Sequence, residues 1–258
     1  MCSISGFISN KPLNNNLAQR LANALLHYGA ERGNQSAGIY INKNTYKKAI
    51  PPGKFINDAA FKAMFFGKNN QCLLHTRYPT CGERGDNQAQ PFQQSETVTV
   101  HNGWYTNLQE LKQRWNIQKH SGVDSELITS FIESYGIESL PDFLETTSGV
   151  SAIATIHKNK MYLMRAGNPI AYTTLTLSGG IKLFIFASTA EILESALKYC
   201  MLLPRTVELT ELDEYTLFAV YPTDIEPLGT MKWNDIEPLE DEQDNSFMAD
   251  LFEKPGDN

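Results

Sequence analysis

The chain has 258 residues, 41% hydrophobic and 20% charged, with a net charge of −7, which is the profile of an ordinary globular protein of one large domain or two small ones. No apolar run approaches the roughly 20 residues of a membrane-spanning helix, and the amino terminus lacks the basic and apolar regions of a signal peptide, so no membrane association is expected. The four cysteines, Cys2, Cys72, Cys81 and Cys200, form no CxxC pair and no Cys/His ligand spacing, which argues against structural zinc and for a reducing, cytoplasmic setting.

The first residues, Met1-Cys2-Ser3-Ile4-Ser5-Gly6-Phe7-Ile8, read as a short strand with a thiol at its head. Loss of Met1 would make Cys2 the terminus and place a free α-amine beside its sulfur. Such an amine titrates near pH ~7.7–8.0 and can take the thiol proton, so a nucleophile needs no histidine here. The competing reading is a small apolar cysteine that is simply buried. A turn at Asn10 to Asn16 leads to a helix over 17–28, with Leu17, Leu21, Ala24, Leu25 and Tyr28 on one face and Gly29 as its stop. The polar loop Glu31-Arg32-Gly33-Asn34-Gln35 then feeds the strand Ser36 to Ile41.

The spacing predicts a second helix over 55–66, a strand over 72–78, a polar loop up to Gln90-Pro91-Phe92, and a strand over 97–101 that ends at Asn102-Gly103. Helices follow at 108–115 and after Val123-Asp124-Ser125-Glu126, the latter capped by Asp124 or Ser125 and stopped by Gly136. Pro141 to Leu144 forms a short helix. The runs 149–156, 160–165, 170–177 and 181–187 are strands joined by tight turns, followed by a helix over 190–200 and closing strands within 206–221. This order suggests antiparallel sheets with helices stacked against them. Beyond Tyr221, residues 222–258 form an acidic, proline-punctuated segment expected to be disordered. From Asp235 onward it holds nine acids against Lys254 alone, so it carries −8 and the body about +1. The body has no surplus of positive charge, and no nucleic-acid partner is expected.

Read together, Met1-Cys2, Arg32-Gly33-Asn34-Gln35-Ser36-Ala37-Gly38, His75-Thr76-Arg77-Tyr78-Pro79-Thr80-Cys81-Gly82, Gln90-Pro91-Phe92, His101-Asn102-Gly103 and Asp124-Ser125-Glu126 resemble the class II glutamine amidotransferase domain, an N-terminal-nucleophile hydrolase. The wording is nearest the glutaminase half of amidophosphoribosyltransferases, with the glucosamine-6-phosphate synthase glutaminase domain close behind. The resemblance runs from Cys2 to about Tyr221 and implies an α+β fold, a four-layer αββα sandwich, over residues 1–221. It implies Cys2 as the nucleophile that forms a γ-glutamyl thioester, Asn102 (side chain) and Gly103 (backbone N–H) as the oxyanion hole, and Arg77 and Asp124 as partners of the glutamine α-carboxylate and α-ammonium. Thr80 would help close the pocket. No cofactor or metal is implied.

The chemistry agrees with these roles. An amide is a poor electrophile and needs donors aimed at the developing oxyanion, and a zwitterionic amino acid calls for one fixed cation and one fixed anion. Taken singly, Arg77 reads equally as a surface ion-pair partner, Asp124 as a helix cap and Asn102-Gly103 as a type I′ turn. His75 and His101 are expected to be hydrogen-bonded structural residues beside the site. Three positions depart from the family pattern: Ser3 stands in place of the usual Gly, Gln35 in place of a common Asp that would pair with Arg32, and Trp104 follows the oxyanion glycine. Relatives of the two nearest kinds continue into an ammonia-consuming domain, so a separate synthase is the expected partner. A hydrolase of another γ-glutamyl compound and a non-catalytic glutamine-sensing subunit are the alternatives.

Overall fold

A computed structural model of the protein describes residues 1–78, 85–117, 123–203 and 208–232. The strands are β1 (Ser3–Ser9), β2 (Ser36–Ile41), β3 (Asn44–Lys48), β4 (Gln71–Arg77), β5 (Phe92–Gln94), β6 (Thr97–Tyr105), β7 (Gly149–His157), β8 (Lys160–Ala166), β9 (Ala171–Leu177), β10 (Ile181–Ala187), β11 (Thr210–Glu211), β12 (Thr216–Val220) and β13 (Ile225–Thr230). The α-helices are α1 (Asn15–Gly29), α2 (Pro52–Phe55), α3 (Ala59–Ala63), α4 (Leu108–Arg114), α5 (Ser125–Tyr135), α6 (Leu140–Glu145) and α7 (Ala190–Tyr199). The strands form two antiparallel sheets. Sheet A runs β11-β9-β10-β1-β4-β2-β3 and sheet B runs β13-β12-β8-β7-β6-β5.

Side-chain alternation assigns the faces. In β1, Ile4 and Ile8 join Leu73, Phe184 and Phe186 of sheet A and Val98, Val100, Ala154 and Leu163 of sheet B in one core between the sheets. Phe7, Cys72, Leu74 and Ile185 point the other way, into a core shared with Leu21, Leu25 and Leu26 of α1 and Leu193 and Leu197 of α7. On the far side of sheet B, Ile153, Met164 and Leu217 pack on Leu127, Ile128 and Phe131 of α5 and Phe143 of α6. The result is the expected α+β architecture, a four-layer αββα sandwich. Each fully buried large side chain contributes on the order of 1.5–3 kcal/mol, so the three cores dominate stability.

Local signals set the helix ends. The Asn14 side chain accepts the Leu17 N–H at 2.8 Å to start α1, and Gly136, at φ 87°, ends α5. Several expectations need correction. The helix over 55–66 is two short pieces, because the Asp58 side chain accepts the Ala60 N–H and caps a new start at α3. A hairpin strand, β3, follows β2 through Asn42 and Lys43, both at positive φ. Strand β6 continues through Asn102 and Gly103, which pair with Ala152 and Ser151, so the type I′ turn reading of that dipeptide is wrong. The ordered body also passes residue 221, since β13 pairs with β12. Residues 233–258, most of the acidic segment, lie outside the described residues.

Gly38 on β2 lies close against the segment that leads into β5. A Cβ there would lie 1.9 Å from the Gln90 carbonyl oxygen that faces it. Gly38→Ala therefore forces the Gln90 backbone away from β2, and the overpacking cost of about 1–3 kcal/mol is expected to lower the thermal midpoint by roughly 2–12 °C in a domain of this size. A calorimetric melt unchanged within a degree would contradict this contact.

Candidate active site

Cys2, Arg77 and Asn102 reach one end of the sandwich from three strands. Ser3 pairs with Thr76 and Ile4 with His75, so Cys2 stands opposite Arg77 in the continued register, and both face sheet B as Ile4 and Leu73 do. Asn102 lies two residues beyond Val100 on the corresponding face of β6. Its side chain joins the sheets: the Cys2 N–H donates to Asn102 Oδ1 at 3.1 Å. The Asn102 Nδ2 donor is buried without a partner. The neighbouring Gly103 must lack a side chain, since a Cβ would fall 2.0 Å from Val150 O and 2.4 Å from His101 Nε2.

The terminal segment is gripped from several sides. The Arg32 Nε–H donates to the Cys2 carbonyl at 3.0 Å, and Arg32 Nη2 lies 3.4 Å from the Met1 sulfur. Gly33 allows this loop to lie on the end of β4, where a Cβ would come within 2.6 Å of the Arg77 backbone. The Gln35 N–H donates to the Arg77 carbonyl at 3.0 Å. Gln35 thus serves through its backbone, and its side-chain oxygen is buried without a partner. Arg32 holds the Cys2 carbonyl, a contact its sequence did not disclose. Glu191, in the first turn of α7, adds a negative charge near it. Ser3 packs its hydroxyl 3.1 Å from where a Cβ on Gly29 would stand, so the crowding expected around Ser3 is accommodated by a glycine at the end of α1.

The Cys2 thiol donates to the Tyr78 carbonyl at 3.5 Å. Burial pushes its pKa up, the Tyr78 bond and the Arg77 charge pull it down, and Asp124 adds to the rise. At neutral pH the sulfur is therefore a thiol and needs a base. Neither histidine supplies one. His75 is fully buried and pushed down to about 3 by desolvation, with the Arg77 charge second, while a hydrogen bond to the His101 backbone opposes the fall. His101 is bonded to Ser125 Oγ at 3.0 Å and Ser151 Oγ at 3.3 Å, and burial lowers its pKa too.

Asp124 is buried at the head of α5 and its Oδ1 accepts the Ser125 N–H at 2.8 Å. Gln90 fixes this end of α5: its Nε2 donates to the His101 carbonyl at 3.0 Å and to Ser125 Oγ at 2.9 Å, while its Oε1 accepts the His101 N–H at 2.7 Å. The peptide bond between Gln90 and Pro91 is cis. Asn168 Nδ2 donates to the Asn102 carbonyl at 2.9 Å, a positioning contact that nothing in its turn-like sequence setting revealed. Trp104, 48% exposed, and Tyr78 flank the mouth. Thr80 and Cys81 lie outside the described residues. Among the described residues no group of His, Cys, Asp and Glu is arranged to hold a metal ion, and no helix is long and apolar enough to cross a membrane.

Two antiparallel sheets stacked between helices, with a cysteine heading a central strand, form the four-layer αββα architecture that N-terminal-nucleophile hydrolases share. Comparison with known proteins narrows it. A family described as glutamine amidotransferase domain matches residues 75–195. An amidophosphoribosyltransferase of Haemophilus influenzae is 30% identical over 169 residues, 62% of this chain and 32% of its own length. A glutamine–fructose-6-phosphate aminotransferase of Acinetobacter baylyi is 28% identical over 185 residues, 66% of this chain and 29% of its own. The solved glutamine phosphoribosylpyrophosphate amidotransferase from B. subtilis shares the fold at a TM-score of 0.69 and 18% identity, over 90% of this chain and 50% of that one. The chain spans about a third of the length of these curated relatives. It carries a glutaminase-like domain related to the N-terminal-nucleophile glutaminase domain found in these two kinds of enzyme.

The electrostatics make a prediction for protein that retains Met1. Because burial raises the Cys2 thiol pKa, the thiolate fraction stays small at pH 7 and grows only as pH rises through a value above the ordinary one. Alkylation of Cys2 by iodoacetamide, followed by peptide mass, is expected to accelerate steadily up to pH 9 and beyond. A rate plateau reached below pH 8 would contradict it.

Proposed function

We propose that the domain hydrolyses the side-chain amide of glutamine through Cys2 and delivers the ammonia to a synthase. The observation that carries this reading is the double duty available to one amide group: Asn102 Oδ1 already accepts from the Cys2 nitrogen, while its Nδ2 is a buried donor without a partner. With Met1 removed, that nitrogen is an amine, oriented by Asn102 and able to take the thiol proton. Sulfur then attacks the amide carbon, and the oxyanion develops where Asn102 Nδ2 and the Gly103 N–H supply fixed donors. The proton held by the amine passes to the departing nitrogen as the C–N bond breaks, leaving a thioester that water cleaves to glutamate.

Arg77 and Asp124 take the substrate's carboxylate and ammonium, and their burial strengthens both charge-assisted contacts relative to water. The setting is cytoplasmic, where the free thiols Cys2, Cys72 and Cys200 stay reduced. The ammonia acceptor belongs to a synthase, fused or separate.

The test is glutamate release by protein whose loss of Met1 has been verified by intact mass. Cys2→Ala is expected to abolish turnover and Asn102→Ala to lower kcat about 10²–10³-fold, the usual cost of one oxyanion donor. Wild-type protein with an exposed Cys2 amine that never turns over glutamine, alone or with its synthase, would refute the reading.

A further inference from the structure

The register of β6 fixes where its backbone points at the site. The Thr106 N–H donates to the Ser148 carbonyl at 2.8 Å and the Lys158 N–H to the Glu96 carbonyl at 3.1 Å, and both pairs continue the register that sets Asn102 opposite Ala152 and Gly103 opposite Ser151. Hydrogen-bonded and non-bonded pairs alternate along an antiparallel ladder. The count in twos from Thr106 makes Asn102 and Ala152 a hydrogen-bonded pair and leaves Gly103 at a non-bonded position, its N–H turned away from β7. His101 agrees with this count, since its N–H and its carbonyl both go to the Gln90 side chain, at 2.7 and 3.0 Å, rather than to β7. Two residues on, the Gly103 N–H points to the same edge, where β5 pairs no further along β6 than Thr99.

The carbonyl of that same peptide, on Asn102, points toward β7, because C=O and N–H face opposite ways in a planar trans peptide. It receives two donors there: the Ala152 N–H of the ladder and Asn168 Nδ2, at 2.9 Å. A ladder supplies only the first. The second comes from the loop that crosses from β8 in sheet B to β9 in sheet A, and that loop is itself pinned. The Gly167 N–H donates to Glu214 Oε1 at 2.9 Å, and Glu214 pairs with Arg165 at 3.3 Å. Gly167, at φ 91°, lies so near β7 that a Cβ would come within 2.7 Å of Val150 Cγ1. Gly103 has no side chain through which packing could fix its peptide plane. The direction of its N–H is set by what grips the Asn102 carbonyl.

Resting on the glutaminase reading above, we infer that Asn168 is a positioning residue of that reaction: by donating to the Asn102 carbonyl it holds the Gly103 N–H on the oxyanion and strengthens it as a donor. Asn168 acts through the peptide and does not touch the substrate. Two donors on the carbonyl draw charge onto its oxygen and leave the amide hydrogen at the other end of the peptide more positive, the mutual polarisation of linked hydrogen bonds. They also oppose rotation of the peptide plane, which would carry the N–H off its target, and donors fixed in advance are what make an oxyanion hole effective. Bound glutamine, held by its charges at Arg77 and Asp124, gains little from this before the oxyanion forms. The contribution therefore falls on kcat rather than on KM.

The experiment follows glutamate release by full-length protein with Met1 removal verified by mass, for the wild type, Asn168→Ala and Asn168→Asp. Asn168→Ala is expected to lower kcat at least about fivefold, a fraction of the about 10²–10³-fold that loss of a direct oxyanion donor costs, with KM within about twofold of wild type. Asn168→Asp keeps the shape of the side chain and so separates donation from packing. Ionised, the new carboxylate offers the Asn102 carbonyl no proton; protonated, its O–H restores the bond. The ratio of the Asn168→Asp kcat to the wild-type kcat at the same pH is expected to rise at least threefold as pH falls from about 7.5 to about 5, because the carboxyl gains its proton in that direction. A merely structural role gives no such recovery. An Asn168→Ala loss in kcat of less than fivefold overturns the inference, as does a rise in KM as large as that loss or an Asn168→Asp ratio that stays flat with pH. If Asn168→Ala does not fold, the ratio decides alone. Absence of any turnover by the wild-type protein overturns the glutaminase reading itself, and this inference with it.

Discussion

One hydrogen bond ties the two halves of this protein together where chemistry happens: the Cys2 nitrogen of sheet A donating to the Asn102 side chain of sheet B. Everything around it serves to bring those two strands to the same place. The dry core between the sheets, from Ile4 and Leu73 to Val100 and Leu163, sets their separation. Gly38 permits the contact with Gln90, and Gln90 in turn fastens β6 to the head of α5. A shift of one residue in either β1 or β6 would turn Cys2 or Asn102 to the opposite face. Register, fixed over the whole length of both strands, is what aligns Cys2 with Asn102.

The two ends of the sandwich treat buried polar groups differently. Away from Cys2, Asn69 is fully buried and well supplied, its Nδ2 donating to the Phe65 carbonyl at 2.8 Å and to Asn15 Oδ1 at 2.9 Å, while its Oδ1 accepts from Asn42. At the Cys2 end, Asn102 Nδ2, Ser36 Oγ and Gln35 Oε1 are buried without partners. The unspent capacity at one end, at about 1–3 kcal/mol for each group, is the usual stability cost of a site shaped for something other than its own residues.

Much of this was legible in the sequence. Alternation in β1, β4 and β10, the caps of α1 and α5 and the order of short motifs anticipated the four layers and brought Cys2, Arg77, Asn102, Gly103 and Asp124 together. What was missed has physical causes. Local signals suggested that β6 stopped at an Asn-Gly pair with turn chemistry, but cross-strand pairing to β7 overrode them. The break between α2 and α3 came from a single capping aspartate inside an otherwise helical apolar pattern. Strand β3 consists of Asn, Thr, Tyr and two lysines at a sheet edge, so it carries no alternating apolar signal. The contacts of Arg32 and Asn168 depend on residues far away in the sequence, and no local pattern encodes them.

The grip of Arg32 also bears on the proposed function, in which loss of Met1 unmasks Cys2 as the nucleophile. Its guanidinium reaches both the residue to be discarded, through the Met1 sulfur, and the residue to be kept, through the Cys2 carbonyl. The carbonyl contact lies on the retained side of Cys2, so excision of Met1 cuts only the weaker of the two. A newly made protein terminus normally frays, and here it would be anchored from the moment it forms. Maturation becomes a subtraction that leaves the scaffold as it was, and the last covalent event needed to arm the site requires no folding step after it.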